Sequence, residues 1–195
     1  METNLQALLE EIRSLEKSVV EQIKQKETDL LYKIKNRKVI FEQEVIKKHK
    51  ALRKSIYRFL TEAPLMYYLV VPIIYSMIIP IVIMDIFVSF YQMTCFPVYG
   101  IRKVSRRDYI AIDRHRLNYL NWIQKINCDY CGYFNGVIAY VREVASRTEQ
   151  YFCPIRHALL IKGVHPRHAA FAAYGDASNY QEKLKILKDK LREPS

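Results

Sequence analysis

Residues 64–84, PLMYYLVVPIIYSMIIPIVIM, contain no charged side chain, and apolar character resumes after Asp85 as IFVSFYQM. Nothing else in the chain restricts its folding so strongly. About 20 apolar residues in helical form match the roughly 30 Å hydrocarbon layer of a bilayer. Burying them in protein instead would take a second core, for which a chain of 195 residues has no spare material. The stretch, taken as residues 63–94, is therefore expected to be a membrane segment. Pro64 suits a first helical turn, whereas Pro72 and Pro80 are expected to kink the helix, which membrane helices tolerate when neighbours satisfy the freed carbonyls. Tyr67, Tyr68 and Tyr91 lie near the ends, where amphipathic rings favour the headgroup level.

Basic residues flank the segment almost evenly: Lys47, Lys48, Lys50, Arg53, Lys54 and Arg58 before it, and Arg102, Lys103, Arg106, Arg107, Arg114 and Arg116 after it. The excess of Lys and Arg that marks cytoplasmic loops thus gives no orientation. A single tilted span is preferred to a shallow hairpin, because about thirty apolar residues make two very short arms. Asp85 closes the charge-free stretch and is expected at the interface rather than as an intramembrane site.

The chain before the segment, residues 1–62, repeats every eleven residues. Leu8, Val19, Leu30, Phe41 and Leu52 form one series, and Ile12, Ile23, Ile34, Val45 and Ile56 a second, offset by four. Eleven residues make three helical turns, so the pairs line one nearly straight stripe. A coiled-coil-like helix from about Thr3 to Phe59 is expected, and its uncovered stripe predicts self-association into a homo-oligomer. Residues 1–32 carry four basic and seven acidic side chains, while residues 33–58 carry ten basic against Glu42 and Glu44. The base-rich half adjoins the membrane segment. The polar, acidic N-terminus shows no cleavable signal pattern.

Beyond the segment, Ser105 and Asp108 suggest a helix start, with the helix running to about Asn127; a second is expected over residues 133–152, with Phe134, Val137, Val141, Val144 and Thr148 on one face. Residues 95–175 are read as a helical Cys/His module. Residues 176–195 are read as an amphipathic helix capped by Ser178 and Gln181, with Tyr180, Leu184, Leu187 and Leu191 as its stripe. With five glycines and little strand-like alternation, the fold class is all-α.

Three of the four cysteines fall in residues 127–157. Cys128 and Cys131 form C-x2-C followed by Gly132, the local pattern of a zinc knuckle, and Cys153 and His157 form C-x3-H. A continuous helix between the pairs would hold them about 30 Å apart, too far for one ion, so shared coordination requires a break, with Gly136 and Thr148 as candidate points. Cys95 is a further candidate ligand. Zinc is the expected metal, an iron–sulfur cluster or thiol redox chemistry at C-x2-C is the alternative, and unligated cysteines are the bland reading. His165 and His168 bracket Pro166 and offer a metal or an anion a loop of imidazoles, though solvated histidines are the ordinary case. His49 and His115 are expected at the surface.

The stretches YLNWIQKINCDYCGYFNG and REVASRTEQYFCPIRH, with the hydrophobic segment before them, resemble a group of bacterial membrane-associated proteins that have no assigned activity; the likeness covers roughly residues 95–160. It implies a bacterial source and a membrane setting and transfers no catalytic residue; the bacterial inner (cytoplasmic) membrane is the expected location.

Thirty-one Lys and Arg against twenty Asp and Glu give a formal charge of +11, which suits anionic partners. Without an aromatic platform or groove-reading motif, nucleic acid is not expected. The ten basic residues Lys47, Lys48, Lys50, Arg53, Lys54, Arg58, Arg102, Lys103, Arg106 and Arg107 are expected to meet anionic lipid headgroups. No acid–base pair, phosphate-binding glycine loop or nucleophile elbow points to hydrolytic or transfer catalysis. The expected role is that of a membrane-anchored structural or adaptor protein rather than an enzyme.

Overall fold

A computed structural model describes residues 10–12, 14–22, 25, 32–35 and 38–192. These are mostly helical. Residues fall into two compact units, one comprising 1–60 with 113–125 and the other 61–112 with 126–195.

In the first unit, helical residues at 10–12 and 14–22 leave Ile12, Leu15, Val19 and Val20 exposed. Leu8, Ile23, Leu30 and the expected start near Thr3 lie outside the described residues. The expected continuous rod is not what forms. Strands β1 (Tyr32–Lys35) and β2 (Lys38–Phe41) pair as an antiparallel hairpin, with Tyr32 opposite Phe41 and Ile34 opposite Val39. YKIK alternates apolar residues with lysine, and KVIF ends in three apolar residues that are β-branched or aromatic; this strand preference competes successfully with the eleven-residue pattern. Helix α1 (Gln43–Ala51) follows and ends before a non-helical link, then α2 (Ile56–Thr61). Within this unit His49 sits edge-on to Phe41 and Tyr119, at 5.3 and 5.1 Å between ring centres.

The second unit is organised by α3 (Leu65–Ser76) and α4 (Ile78–Tyr99). Pro72 is accommodated inside α3. The break falls at Met77, because Pro80 has no N–H for the Ser76 carbonyl and its ring crowds that group. Met77 keeps right-handed helical angles, so the chain does not reverse there. Residues 65–99 form one helical run long and apolar enough to cross a membrane. Gly100, at φ 68°, ends α4, and Ile101 N–H returns to the Phe96 carbonyl at 2.8 Å.

Helix α5 (Trp122–Phe152) is continuous over 31 residues. It starts earlier than expected, where Asn121 and Gln124 exchange side-chain to backbone hydrogen bonds of 2.9 and 3.0 Å in a reciprocal cap. Contacts of α3 and α4 with α5 ascend together. Tyr130 donates to the Ile74 carbonyl, Tyr133 to Asp85, Tyr140 meets Ser89, Thr148 meets Tyr91, and the Tyr99 and Tyr151 rings lie 5.3 Å apart. Helices α4 and α5 are therefore parallel over this stretch, and the connecting chain must travel back between them.

That return replaces the helix expected from Ser105. Residues 101–112 are irregular apart from one 3-10 turn, Arg106–Asp108. The connection presses onto two glycines of α5: the position of a Cβ on Gly136 would lie 2.8 Å from the Tyr109 carbonyl oxygen, and on Gly132 3.2 Å from that of Ala111. Neither Gly136 nor Thr148 breaks the helix. Gly132 is a packing site within it rather than the turn of a zinc knuckle.

Helix α6 (Tyr180–Lys190) and the Leu191 that caps it cover the far end of α5, with Leu187 and Leu191 buried. Ser178 does not cap it: its hydroxyl donates to Asp176 at 2.9 Å. The core gathers Phe96, Ile101, Val104, Tyr140, Val144 and Leu191.

Candidate functional site

Two polar groupings stand out in the second unit. The first runs along the buried face of α4. Asp85, 6% exposed, accepts two hydrogen bonds from Arg106 Nε and one from Arg106 Nη2 at 2.6 Å, plus one from the Tyr133 hydroxyl at 2.8 Å. Ser89 donates to the same carboxylate at 3.5 Å and meets the Tyr140 hydroxyl at 3.2 Å. Gln92 donates to Tyr140 and to the Val104 carbonyl, and its own oxygen accepts the Val104 N–H at 2.9 Å. Every member has a partner, so the stripe reads as a clamp that fastens the return segment to both helices. The Asp85 hydrogen bonds hold the Arg106 guanidinium above its ordinary range, and burial followed by Asp85 raises the Tyr133 phenol.

The second grouping sits past the C-terminal end of α5. Arg156 N–H bonds to the Ala172 carbonyl and Ala172 N–H to the Pro154 carbonyl, each at 2.8 Å, which pins the loop back against the helix end. Rings of His157, His165 and His168 collect there, with His168 centred 5.8 Å from His157 and 6.0 Å from His165. Glu149 Oε2 accepts from His165 Nε2 at 2.8 Å. Arg167 is locked to Glu143 at 2.5 Å and to Gln150 at 3.1 Å. Four nitrogens of this loop are buried without a hydrogen-bond partner: His165 Nδ1, His168 Nε2, Arg156 Nε and Arg167 Nε, although Arg167 bonds elsewhere through its other two nitrogens. Burial lowers the pKa of His168, helped by the neighbouring His165. Glu143 is pushed up by burial, but bonds from Arg147 and Arg167 outweigh this and leave it below the ordinary carboxylate range.

An open groove of about 500 Å³ adjoins this cluster and is lined by side chains such as Val88, Tyr91, Val144 and Phe152, with Glu149 and Cys153 at its cluster end. Leu159 and Leu160 project from the same loop at 79% and 103% exposure.

The residues singled out in the sequence are distributed as follows. Cys128 and Cys131 lie within α5, beside Ile74 and Tyr75 of α3, while Cys153 and His157 lie past its other end; all four thiols of the chain are free. Cys153 lies twenty-two positions after Cys131, about 33 Å along the helix. Cys95 is twenty-one positions beyond Ile74 and is not brought to Cys128. The unbroken helix therefore keeps the expected ligands apart, and among the described residues no three His, Cys, Asp or Glu side chains are placed to hold a metal ion. The ten basic residues assigned to lipid are all exposed, yet Arg106 is engaged by Asp85. Sequence reasoning passed over Glu149 and Arg156; their only early signal was proximity to the histidine-bearing loop.

No protein-family model matches the chain, and no curated protein or solved structure matches it.

Proposed function

We propose that this chain is a membrane-anchored helical scaffold or adaptor at the bacterial cytoplasmic membrane, seated in lipid by residues 65–99. The distribution of side chains around α4 carries the reading. Its buried face holds Asp85, Gln92 and the partly buried Ser89 between Ile81 and Phe96, while Ile86, Phe87, Phe90 and Met93 stand outward with 56–70% exposure. A helix in water buries its apolar side and exposes its polar side; one in lipid does the reverse. The outward apolar surface continues back through Ile73, Leu69 and Leu65, so among the described residues this face has no protein cover.

The exposed bases at 47–58 and 102–107 supply attraction to anionic headgroups, about 1 kcal/mol for each favourably placed Lys or Arg. Self-association through the apolar residues exposed at positions 12–20 belongs to the same proposal. Zinc and iron–sulfur chemistry do not enter it, because α5 separates the side chains that would have shared an ion.

Alkaline carbonate extraction of membranes from expressing cells tests the anchor. The protein is expected to stay in the pellet and to float with lipid in a density gradient. Release into the supernatant, together with a monodisperse species in buffer without detergent, would reject it.

A further inference from the structure

We infer that the loop beyond α5 is a binding site for the phosphate of an anionic phospholipid, separate from the apolar anchor. A polar atom removed from water without a partner is destabilising, and a folded chain seldom leaves several together unless something else satisfies them. Here His168 Nε2, His165 Nδ1 and Arg156 Nε are all buried and unpartnered in one loop. Each can donate: arginine always, neutral His168 when its proton is on Nε2, and His165 when its ring is doubly protonated, since Nε2 already serves Glu149. Donors of this kind match an oxyanion with several oxygens. A cation is the poorer fit, because Arg156 and Arg167 flank the imidazoles and no metal-holding geometry exists among the described residues.

The surroundings specify a lipid rather than a free ion. Leu159 and Leu160, two and three residues after His157, are largely and fully exposed, and Ile161 and Val164 continue the apolar loop. On the other side, Glu149 joins the cluster to the apolar groove formed with Val88, Val144 and Phe152. A phosphate seated at Arg156 and His168 thus has hydrocarbon-compatible surface on both sides, as a headgroup with attached chains requires and an inorganic ion does not. Glu149 is the opposing charge, and its bond to His165 keeps it directed at that ring.

The full chain in neutral detergent micelles is titrated calorimetrically with dihexanoyl phosphatidylglycerol, dihexanoyl phosphatidylcholine and inorganic phosphate. Micelles cover the apolar helix whether or not it crosses a bilayer, so the result does not depend on the proposed anchor. Saturable binding of phosphatidylglycerol at least about tenfold tighter than of either control is expected. Arg156→Gln and His168→Asn should each weaken it about tenfold at unchanged helix content. Leu160→Asn alters a side chain with no protein contact and should weaken lipid binding while leaving phosphate binding as it was. Equal affinity for inorganic phosphate would overturn the lipid assignment, and unaltered binding by Arg156→Gln would overturn the site.

Discussion

Gly136 shows how much one missing Cβ can decide. The Tyr109 carbonyl and Ile110 Cα occupy the space a side chain would need, at 2.8 and 3.0 Å. Gly136→Ala should therefore destabilise the protein by about 1–3 kcal/mol, and Gly132→Ala, whose nearest neighbour is at 3.2 Å, by less. Denaturant unfolding in micelles measures both. Asp85→Asn should cost about 2 kcal/mol by weakening the charge-assisted bonds from Arg106 and Tyr133, read in the same assay; an unchanged midpoint would show that the clamp contributes nothing to stability. In the sequence Gly136 looked like a helix break and Asp85 like an interfacial residue, from its position at the end of the uncharged stretch. Its partner Arg106 was not legible there, because it lies twenty-one residues away and on no shared helix.

At the level of elements, the reciprocal cap at Asn121 and the stripe of α6 follow rules visible in short windows. The return segment does not. Ser105 and Asp108 carry a plausible start signal, but the Val104 backbone is already committed to Gln92, and Arg106 to Asp85, so tertiary contacts override a local preference. The hairpin at 32–41 was hidden by the opposite fault: a long-period stripe drew attention from a short-period one. The far end of α5 also sets a pH dependence. His168 has a lowered folded pKa, so an unfolded chain gains its proton first; the stability tied to neutral His168 is complete above about 6.5 and declines as pH falls below it. Glu143 likewise favours the folded state above about 4.5 and loses that contribution as pH drops through its lowered value. Melting temperature followed by circular dichroism should decrease in two stages on acidification. His168→Asn should remove the upper stage, and Glu143→Gln the lower.

For the molecule as a whole, the apolar run was plain from composition, and with it a candidate membrane association. The location of the cysteines relative to one another was not, because it turned on whether a single 31-residue helix stayed intact, a question settled by packing of Gly132 and Gly136 against a distant carbonyl chain. A charge of +11 adds a prediction at this scale. In liposomes containing phosphatidylglycerol, the part of binding due to exposed Lys and Arg should fall as salt rises, since at 1 M the screening length is about 3 Å. The part due to residues 65–99 should resist salt. Complete release by salt alone would leave the bases as the only attachment.

Parallel pairing of α4 with α5 has a bearing on biosynthesis. Asp85 leaves the ribosome forty-eight residues ahead of Tyr133, and Ser89 fifty-one ahead of Tyr140. The first helix must therefore form with that side only partly matched, by Arg106 and Val104 of the return segment. Mature packing is an event of late translation, so a chain truncated before residue 106 carries an unpaired Asp85 carboxylate and becomes a natural target for quality-control proteolysis.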